Sequence, residues 1–420
     1  MIRINEPLHC SFFRSPNQCP PKQSKYPMKN QRLPALYLRR FLLFCAVWCF
    51  VLSYSSIAVR GQETLRLFIG TYTGGERGGE GIYTCQFNLI NGSLSEPVLA
   101  AKCENPAFLA IHPVQPRLYA VGEQGKTGTL YAFTFRKTTG ELMLLDTAEI
   151  PGRSSCHLCI CRDAEKELDS VVVANYSSGN VVSFPIFATG KIGKIASDIA
   201  HIGKGPNESR QQSPHPHGAY FDFQDGKTVA VPDLGIDRVL FYEIDTKTAK
   251  LTRKLSQPFL QLPPGGGPRH MARSKDGRFA YVNNELTSTV CVFELKGKHP
   301  PMIQELSTLP NGVDPTKNST AEIELSPSGD FLYVSNRGHD SIAVYAVDQK
   351  TGNLNPEQNI PGGGVRPRFF ALDPTGRYLF TCNKESGNIV VFSVDQSTGK
   401  LTQTETAINV PRPVCIVFAP

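Results

Sequence analysis

The sequence predicts an all-β protein, a seven-bladed β-propeller with four-stranded blades, closed by its N- and C-terminal strands. Three observations carry this. A unit of short apolar strands and turns recurs six times along the chain. The recurrence has a spacing near fifty residues, the length of a propeller blade. The two ends of the body hold partial units that complete one another.

The six full units begin with NPAFLAIHPVQPRLYAVGE (105–123), HLCICRDAEKELDSVVVANY (157–176), HPHGAYFDFQDGKTVAVPD (215–233), GPRHMARSKDGRFAYVNNE (267–285), AEIELSPSGDFLYVSNRG (321–338) and RPRFFALDPTGRYLFTCNKE (366–385). A third strand follows each, as in GTLYAFTF, STVCVFEL and GNIVVFSV. Turns such as TGELMLL and TGKLTQT then lead to a fourth. The second strands end at Gly122, Asn175, Asp233, Asn283, Asn336 and Asn383, at intervals of 53, 58, 50, 53 and 47. One sheet per unit cannot bury both of its faces, so the units must pack radially. LRLFIGTY (65–72) and GIYTCQFNLINGSL (81–94) supply the later strands of a further blade, and RPVCIVFAP (412–420) supplies its first. Joining them leaves no free sheet edge at the seam. Residues 61–420 therefore read as one propeller domain.

Residues 1–60 read as an N-terminal extension and signal peptide. Arg39-Arg40 precede the apolar run FLLFCAVWCFVL (41–52), and Ser56 and Ala58 give an A-x-A-like cleavage pattern. MKNQRLPALYLRR forms an ordinary charged n-region, which predicts Met28 as the true start. The expectation is export to a periplasmic or extracellular space. The alternatives are an uncleaved membrane anchor over 41–59 or a cytoplasmic protein. The flanks of the arginine pair make only a weak twin-arginine signal.

The net charge of +7 belongs to this leader, which holds nine Lys/Arg and one acid. The body is near neutral, so no nucleic-acid partner is expected. Its eight cysteines are scattered and form no tight disulfide framework. CHLCIC (156–161) has one pair at metal-ligand spacing, but no second pair or His pair completes a ligand set. Cys159 and Cys161 instead fit the alternation of a strand. No metal and no cofactor are expected.

In a propeller the start of each innermost strand and the end of the second strand share one face. Ionisable residues cluster at those ends. His157, His215, His217, Arg269, His270 and Arg368 stand at strand starts. Asp233, Glu285, Arg337, Asn336 and Asn383 stand at second-strand ends. The asparagines read mainly as turn residues. Arg117, Arg278 and Arg377 fall near turns on the opposite face and read as structural. Glu285 and Arg337 replace neutral residues of the repeat, so the repeat itself does not require them. The loops 71–80 and 203–214 are polar and Gly-rich, and two readings stand for them: a cover over the mouth or mobile segments.

SPHPHGAYFD, VPDLGIDRVLFYEID, GGGPRHMARSKDGRFAYVNNELTSTV and LYVSNRGHDSIAVY resemble the seven-bladed propeller lactonases, a family that includes propeller-type 6-phosphogluconolactonase and carboxymuconate cyclase. The resemblance covers about residues 65–418. It implies lactone chemistry with His217, Arg269, Glu285 and Arg337 as catalytic residues. His215, Asp233, His270, Asn383 and Arg368 are candidate substrate-binding residues, with Asp233 expected to orient His217. The reaction needs a base for water and positive charge for the carbonyl oxygen. Glu285 or His217 could be that base. Arg269 and Arg337 could hold an anionic substrate. No G-x-S-x-G motif for a serine nucleophile is present. The expected partner is a small lactone or sugar acid. A phosphogluconolactone is a cytosolic intermediate whereas the leader predicts export, so the natural substrate stays open. Two alternatives stand: a carboxymuconate-type cycloisomerase and a non-enzymatic extracytoplasmic ligand-binding propeller. Oligomeric state is not read from the sequence.

Overall fold

The computed structural model describes residues 64–124, 126–163, 168–221 and 225–419. The predicted signal peptide, Met28 and the cysteines Cys10, Cys19, Cys45 and Cys49 lie outside the described residues.

Seven antiparallel sheets are present, and six repeat one path from the innermost to the outermost strand. Blade 2 runs Pro106–Ile111, Arg117–Gln124, Thr127–Phe135 and Leu142–Ile150. Blade 3 runs Ser155–Asp163, Leu168–Asn175, Asn180–Ile186 and Ser197–Ala200. Blade 5 runs Pro268–Arg273, Phe279–Asn284, Thr289–Glu294 and Met302–Ser307. Blade 6 runs Ser319–Leu325, Phe331–Arg337, Ser341–Val347 and Leu354–Pro361. Blade 7 runs Pro367–Leu372, Tyr378–Asn383, Asn388–Val394 and Leu401–Asn409.

Blade 1 is the seam. Its inner strand is the C-terminal Pro413–Ala419, followed by Thr64–Thr71, Gly81–Asn88 and Val98–Lys102. Phe68 pairs with Val417 and Ile69 with Ile416, so the two ends of the body are bonded as a single sheet.

Blade 4 departs from the expected regularity. Among the described residues its inner segment makes two bridges, Pro216 to Asp233 and Tyr220 to Ala230. Pro214 and Pro216 carry no N–H to donate, which breaks the ladder there. The blade continues through Thr228–Asp233 and Arg238–Asp245. Its outer edge is split into Lys250–Arg253 and Phe259–Gln261, both paired to Arg238–Asp245.

The burial pattern follows from radial packing. Middle strands are covered on both faces, as in Phe279–Asn284, where every residue is buried. Outer strands alternate or face water, as in Leu401–Asn409. Seven apolar clusters fill the seven blade-to-blade interfaces. Between blades 5 and 6, Tyr281, Val290 and Val292 meet Ile323, Leu332 and Tyr345. Truncating one such aromatic residue to Ala costs about 3–5 kcal/mol. This rigid ring fixes the strand ends that surround the central channel.

Candidate active site

Inner strands of this propeller carry a register shift close to their first residue. In blade 5 Pro268 faces Asn284 and His270 faces Asn283, so Arg269 has no partner across the ladder. The same shift frees Ala107 in blade 2, Cys156 in blade 3 and Arg368 in blade 7. At the seam it frees Val414. The two bridges of blade 4 are also out of step by one residue, across the stretch that starts with His217. A bulge of this kind turns the extra side chain out of the sheet's alternation. The backbone prepares it with a left-handed residue just ahead of the strand: Asn105, Ser154, Gly267, Arg366 and Arg412 have φ of 42°, 58°, 68°, 56° and 39°. The frame is repeated while the side chain at the bulge varies.

Glu285 is the hub of the mouth. It lies just past the second strand of blade 5 and is 5% exposed. Arg210 Nη2 donates to its Oε1 at 2.6 Å. Arg337 Nη2 is 2.9 Å from Oε2, and Arg269 Nε is 3.2 Å from the same oxygen without hydrogen-bond alignment. Burial by itself would raise the pKa of this carboxyl. The guanidiniums of Arg337, Arg269 and Arg210 overcome that and hold it well below the usual carboxylate range. The two buried arginines are also tied to backbone. Arg269 Nη1 donates to Ala321 O and Arg337 Nη2 to Thr320 O, each at 2.6 Å.

Glu285, Arg210, Arg337, Arg368 and His217 line a pocket of about 340 Å³, together with Tyr72, Cys156 and Tyr176. Arg368 donates to the Tyr72 hydroxyl at 2.9 Å and lies over its ring. His217 is 6% exposed. Burial first, then the positive charge of Arg269, lowers its pKa well below 6.5. Its imidazole is therefore neutral at neutral pH and keeps a lone pair for a proton. Three arginines thus contact one ionised carboxylate beside a neutral histidine, and Arg368 lines the same pocket.

An aromatic layer closes the pocket from below. His157 stacks on Phe108 at 3.9 Å, and His270 meets His157 edge-on at 5.1 Å and His217 at 5.3 Å. Beneath it, the opposite half of the channel holds a larger cavity of about 570 Å³, with Phe108, Phe369, Phe418, Glu322 and Glu324 on its wall. That cavity contains none of the four arginines at the mouth. The smaller pocket is the one where groups able to act on a polar substrate converge.

The structure brings His217, Arg269, Glu285, Arg337 and Arg368 together, and it puts the other predicted residues elsewhere. Asp233 is fully buried. Its Oδ1 accepts the backbone N–H of His215 and of Gly235, and its Oδ2 is 2.6 Å from His201 Nδ1. It fixes the backbone ahead of His217 and does not orient the imidazole. His215 donates from Nδ1 to Tyr176 O at 2.8 Å and stacks on Tyr176. It supports a pocket wall. His270 sits one layer below the mouth, 2.9 Å from Glu322 Oε1. Asn383 is fully buried and donates to Gly362 O at 3.0 Å, and Asn283, Asn336 and Asn175 likewise donate to distant carbonyls, so these asparagines tie the strand ends to other connections and do not serve local turns as expected.

Six pocket residues were not singled out from the sequence as site residues: Tyr72, Ser154, Cys156, Tyr176, Ser177 and Arg210. Tyr72 and Tyr176 each follow a second strand by one residue, and Cys156 immediately precedes His157, as the strand-end rule requires. Cys156 Sγ lies 3.7 Å from His217 Nδ1, which separates it from Cys161, a residue of the apolar core. Arg210 belongs to the loop between blades 3 and 4 and has no counterpart in the repeat.

Comparison with known proteins places the propeller in a family. Residues 66–418 match the family described as "Lactonase, 7-bladed beta-propeller". The 6-phosphogluconolactonase of Bacillus subtilis is 39% identical over 354 residues, covering 84% of this chain and 97% of its own length. The solved structure of the periplasmic gluconolactonase of Pseudomonas aeruginosa superposes with a TM-score of 0.79 at 30% identity, covering 85% of this chain and 99% of that one. A protein of unspecified function from Lactobacillus plantarum superposes with a TM-score of 0.77 at 30% identity, covering 85% and 100%. The chain belongs to the seven-bladed β-propeller lactonase family.

Proposed function

We propose that the protein hydrolyses an anionic sugar lactone at the arginine-lined mouth, with the phosphorylated aldonolactone handled by its Bacillus relative as the leading substrate class. One observation carries this reading. Arg210, Arg337 and Arg368 line the pocket with one ionised carboxylate, Glu285, which Arg269 also contacts, so cationic side chains outnumber the anionic one. A neutral lactone leaves that excess unmatched, whereas a phosphate group meets it.

His217 is the proposed base. Glu285 is already engaged by three guanidiniums, whereas the neutral His217 imidazole has a lone pair to accept a proton. A water attacks the lactone carbonyl carbon while His217 takes its proton. The negative charge that forms on the carbonyl oxygen is met by Arg337 and Arg368. The ring C–O bond then breaks, and the ring oxygen leaves with the proton from the imidazolium. The product is the open sugar acid, and His217 returns to its neutral state. Glu285 serves as the anchor that keeps Arg269 and Arg337 charged and in place.

The predicted leader and the periplasmic relative support export, with residues 61–420 as the exported lactonase domain. The test of the function is hydrolysis of 6-phosphogluconolactone and glucono-δ-lactone by the full chain, corrected for spontaneous opening. His217→Gln is expected to lower kcat by roughly 10²–10⁴-fold while product affinity changes little. Wild-type rates at background on both lactones would remove the proposal.

A further inference from the structure

Three of the four arginines at the mouth belong to the blade frame. Arg269 and Arg368 occupy inner-strand bulges, and Arg337 ends the strand Phe331–Arg337. Arg210 is different. It comes from the long connection between blades 3 and 4, and its side chain is 40% exposed, against 3% for Arg269 and 11% for Arg337.

The base of that arm is fixed. Asn207 Oδ1 accepts the N–H groups of Ser209 and Arg210. Gln211 Nε2 donates to Leu234 O at 2.8 Å and to Asp237 Oδ1 at 2.7 Å. Asp237 also accepts from Gly265 N and Gly267 N, which ties this loop to the entry of blade 5. The guanidinium beyond this anchored turn touches Glu285 and, at 3.2 Å, the Tyr176 hydroxyl. Both partners line the pocket.

Glu285 has cationic partners besides Arg210. Arg337 and Arg269 remain on Oε2 when the contact on Oε1 is released. A rotation of one side chain, with no movement of the loop, would carry the Arg210 charge from Glu285 to an incoming oxyanion. One strong charge-assisted contact would replace another. From these features we infer that Arg210 is the specificity residue for a phosphate monoester borne on the sugar remote from the lactone ring, exchanging Glu285 for that phosphate when substrate enters. The inference rests on the lactonase reading for its choice of substrate.

The experiment compares the full wild-type chain with Arg210→Gln on 6-phosphogluconolactone and on glucono-δ-lactone, with thermal melts to verify folding. The ratio of kcat/KM for the phosphorylated over the neutral lactone is expected to fall roughly ten- to a hundred-fold, through KM rather than kcat. An equal loss on both substrates would make Arg210 a support for Glu285 and overturn the inference. An unchanged ratio would do the same. A calorimetric arm separates this from failure of the lactonase reading. Even without turnover by the wild type, 6-phosphogluconate must bind Arg210→Gln more weakly than wild type by a similar factor, while gluconate binding changes much less. Equal weakening of the two acids, or none, sinks the assignment.

Discussion

Two buried glutamates mark the two halves of the channel, and they behave in opposite ways. Glu285 at the mouth is 5% exposed and Glu322 below the aromatic layer is 7% exposed. Burial opposes the charged form of both. At the mouth three guanidiniums reverse that, and Glu285 is a carboxylate. Below, the charges of Arg269 and Arg368 compensate only in part, and burial pushes Glu322 up to about 8. Glu324, farther down, is also raised to about 8, chiefly by burial. Glu322 then meets His270, whose own pKa is lowered by burial and by Arg269, as a neutral acid beside a neutral imidazole. The same blade frame thus builds a mouth whose glutamate is charged and a lower half whose two glutamates are protonated near neutral pH. The difference is set by how many arginines reach each carboxylate, and burial alone does not predict it.

Removing an arginine from the mouth is the strongest way to break this contrast. Arg337→Ala takes away a largely buried cation next to Glu285 and the bond to Thr320 O. Turnover is expected to fall by roughly 10²–10³-fold, as for other groups that stabilise developing charge. Stability should fall by about 3 kcal/mol, because a buried ion cluster loses one partner. Steady-state kinetics and urea unfolding check both. Activity within threefold of wild type would mean that the arginine cluster is a structural device alone.

The fold was legible because it is written seven times. The apolar middle strands, the turn residues and the fifty-residue spacing all agree, and the two partial end units complete each other. The inner strand of blade 4 was the exception, since Pro214 and Pro216 interrupt a ladder that spacing alone assumes. The site was legible wherever it uses the frame. His217, Arg269, Arg337 and Arg368 stand at strand ends, and departure from the repeat marked Glu285 and Arg337. Strand-end position did not separate a side chain that enters the pocket from one consumed by the scaffold. Asp233 and Asn383 occupy the same rim by sequence, yet Asp233 is taken up by backbone N–H groups and His201, and Asn383 by Gly362 O and Thr381. Arg210 was not legible, because a loop residue without periodicity gives no signal until the loop is seen across the mouth.

The protonation contrast also predicts a bell-shaped dependence of stability on pH. Above about 6.5 the folded protein keeps protons on Glu322 and Glu324 that the unfolded chain, with ordinary values of 4.5, has released. Stability therefore decreases as pH rises toward 8. Below 6.5 the unfolded chain protonates His157, His217 and His270, which burial keeps neutral in the fold. Three protons gained on unfolding then outweigh the two carried by the glutamates, and stability decreases as pH drops. Urea midpoints should peak near pH 6.5. Glu324→Gln should flatten the alkaline limb and steepen the acid one. An unchanged curve in that variant would mean that Glu324 is ionised in the fold, and the contrast between the two halves would shrink to Glu322 alone.

The smallest expected effect sharpens the contrast through sulfur. Cys156 occupies the bulge of blade 3 and lines the mouth pocket, whereas Cys382 and Cys415 are fully buried and their thiols are pushed up by burial. A maleimide should label Cys156 ahead of those two, because only a thiol that reaches solvent and ionises can attack it. The added group would occupy the space beside His217, 3.7 Å away, and turnover should fall in proportion to labelling. A bound sugar acid should slow the reaction, and peptide mapping would identify the labelled residue. Cys156→Ser should escape inactivation and lose less than about tenfold in kcat/KM, the scale of one weak contact. Labelling without loss of turnover would move the reacting centre away from blade 3 and toward the arginines of blades 5 to 7.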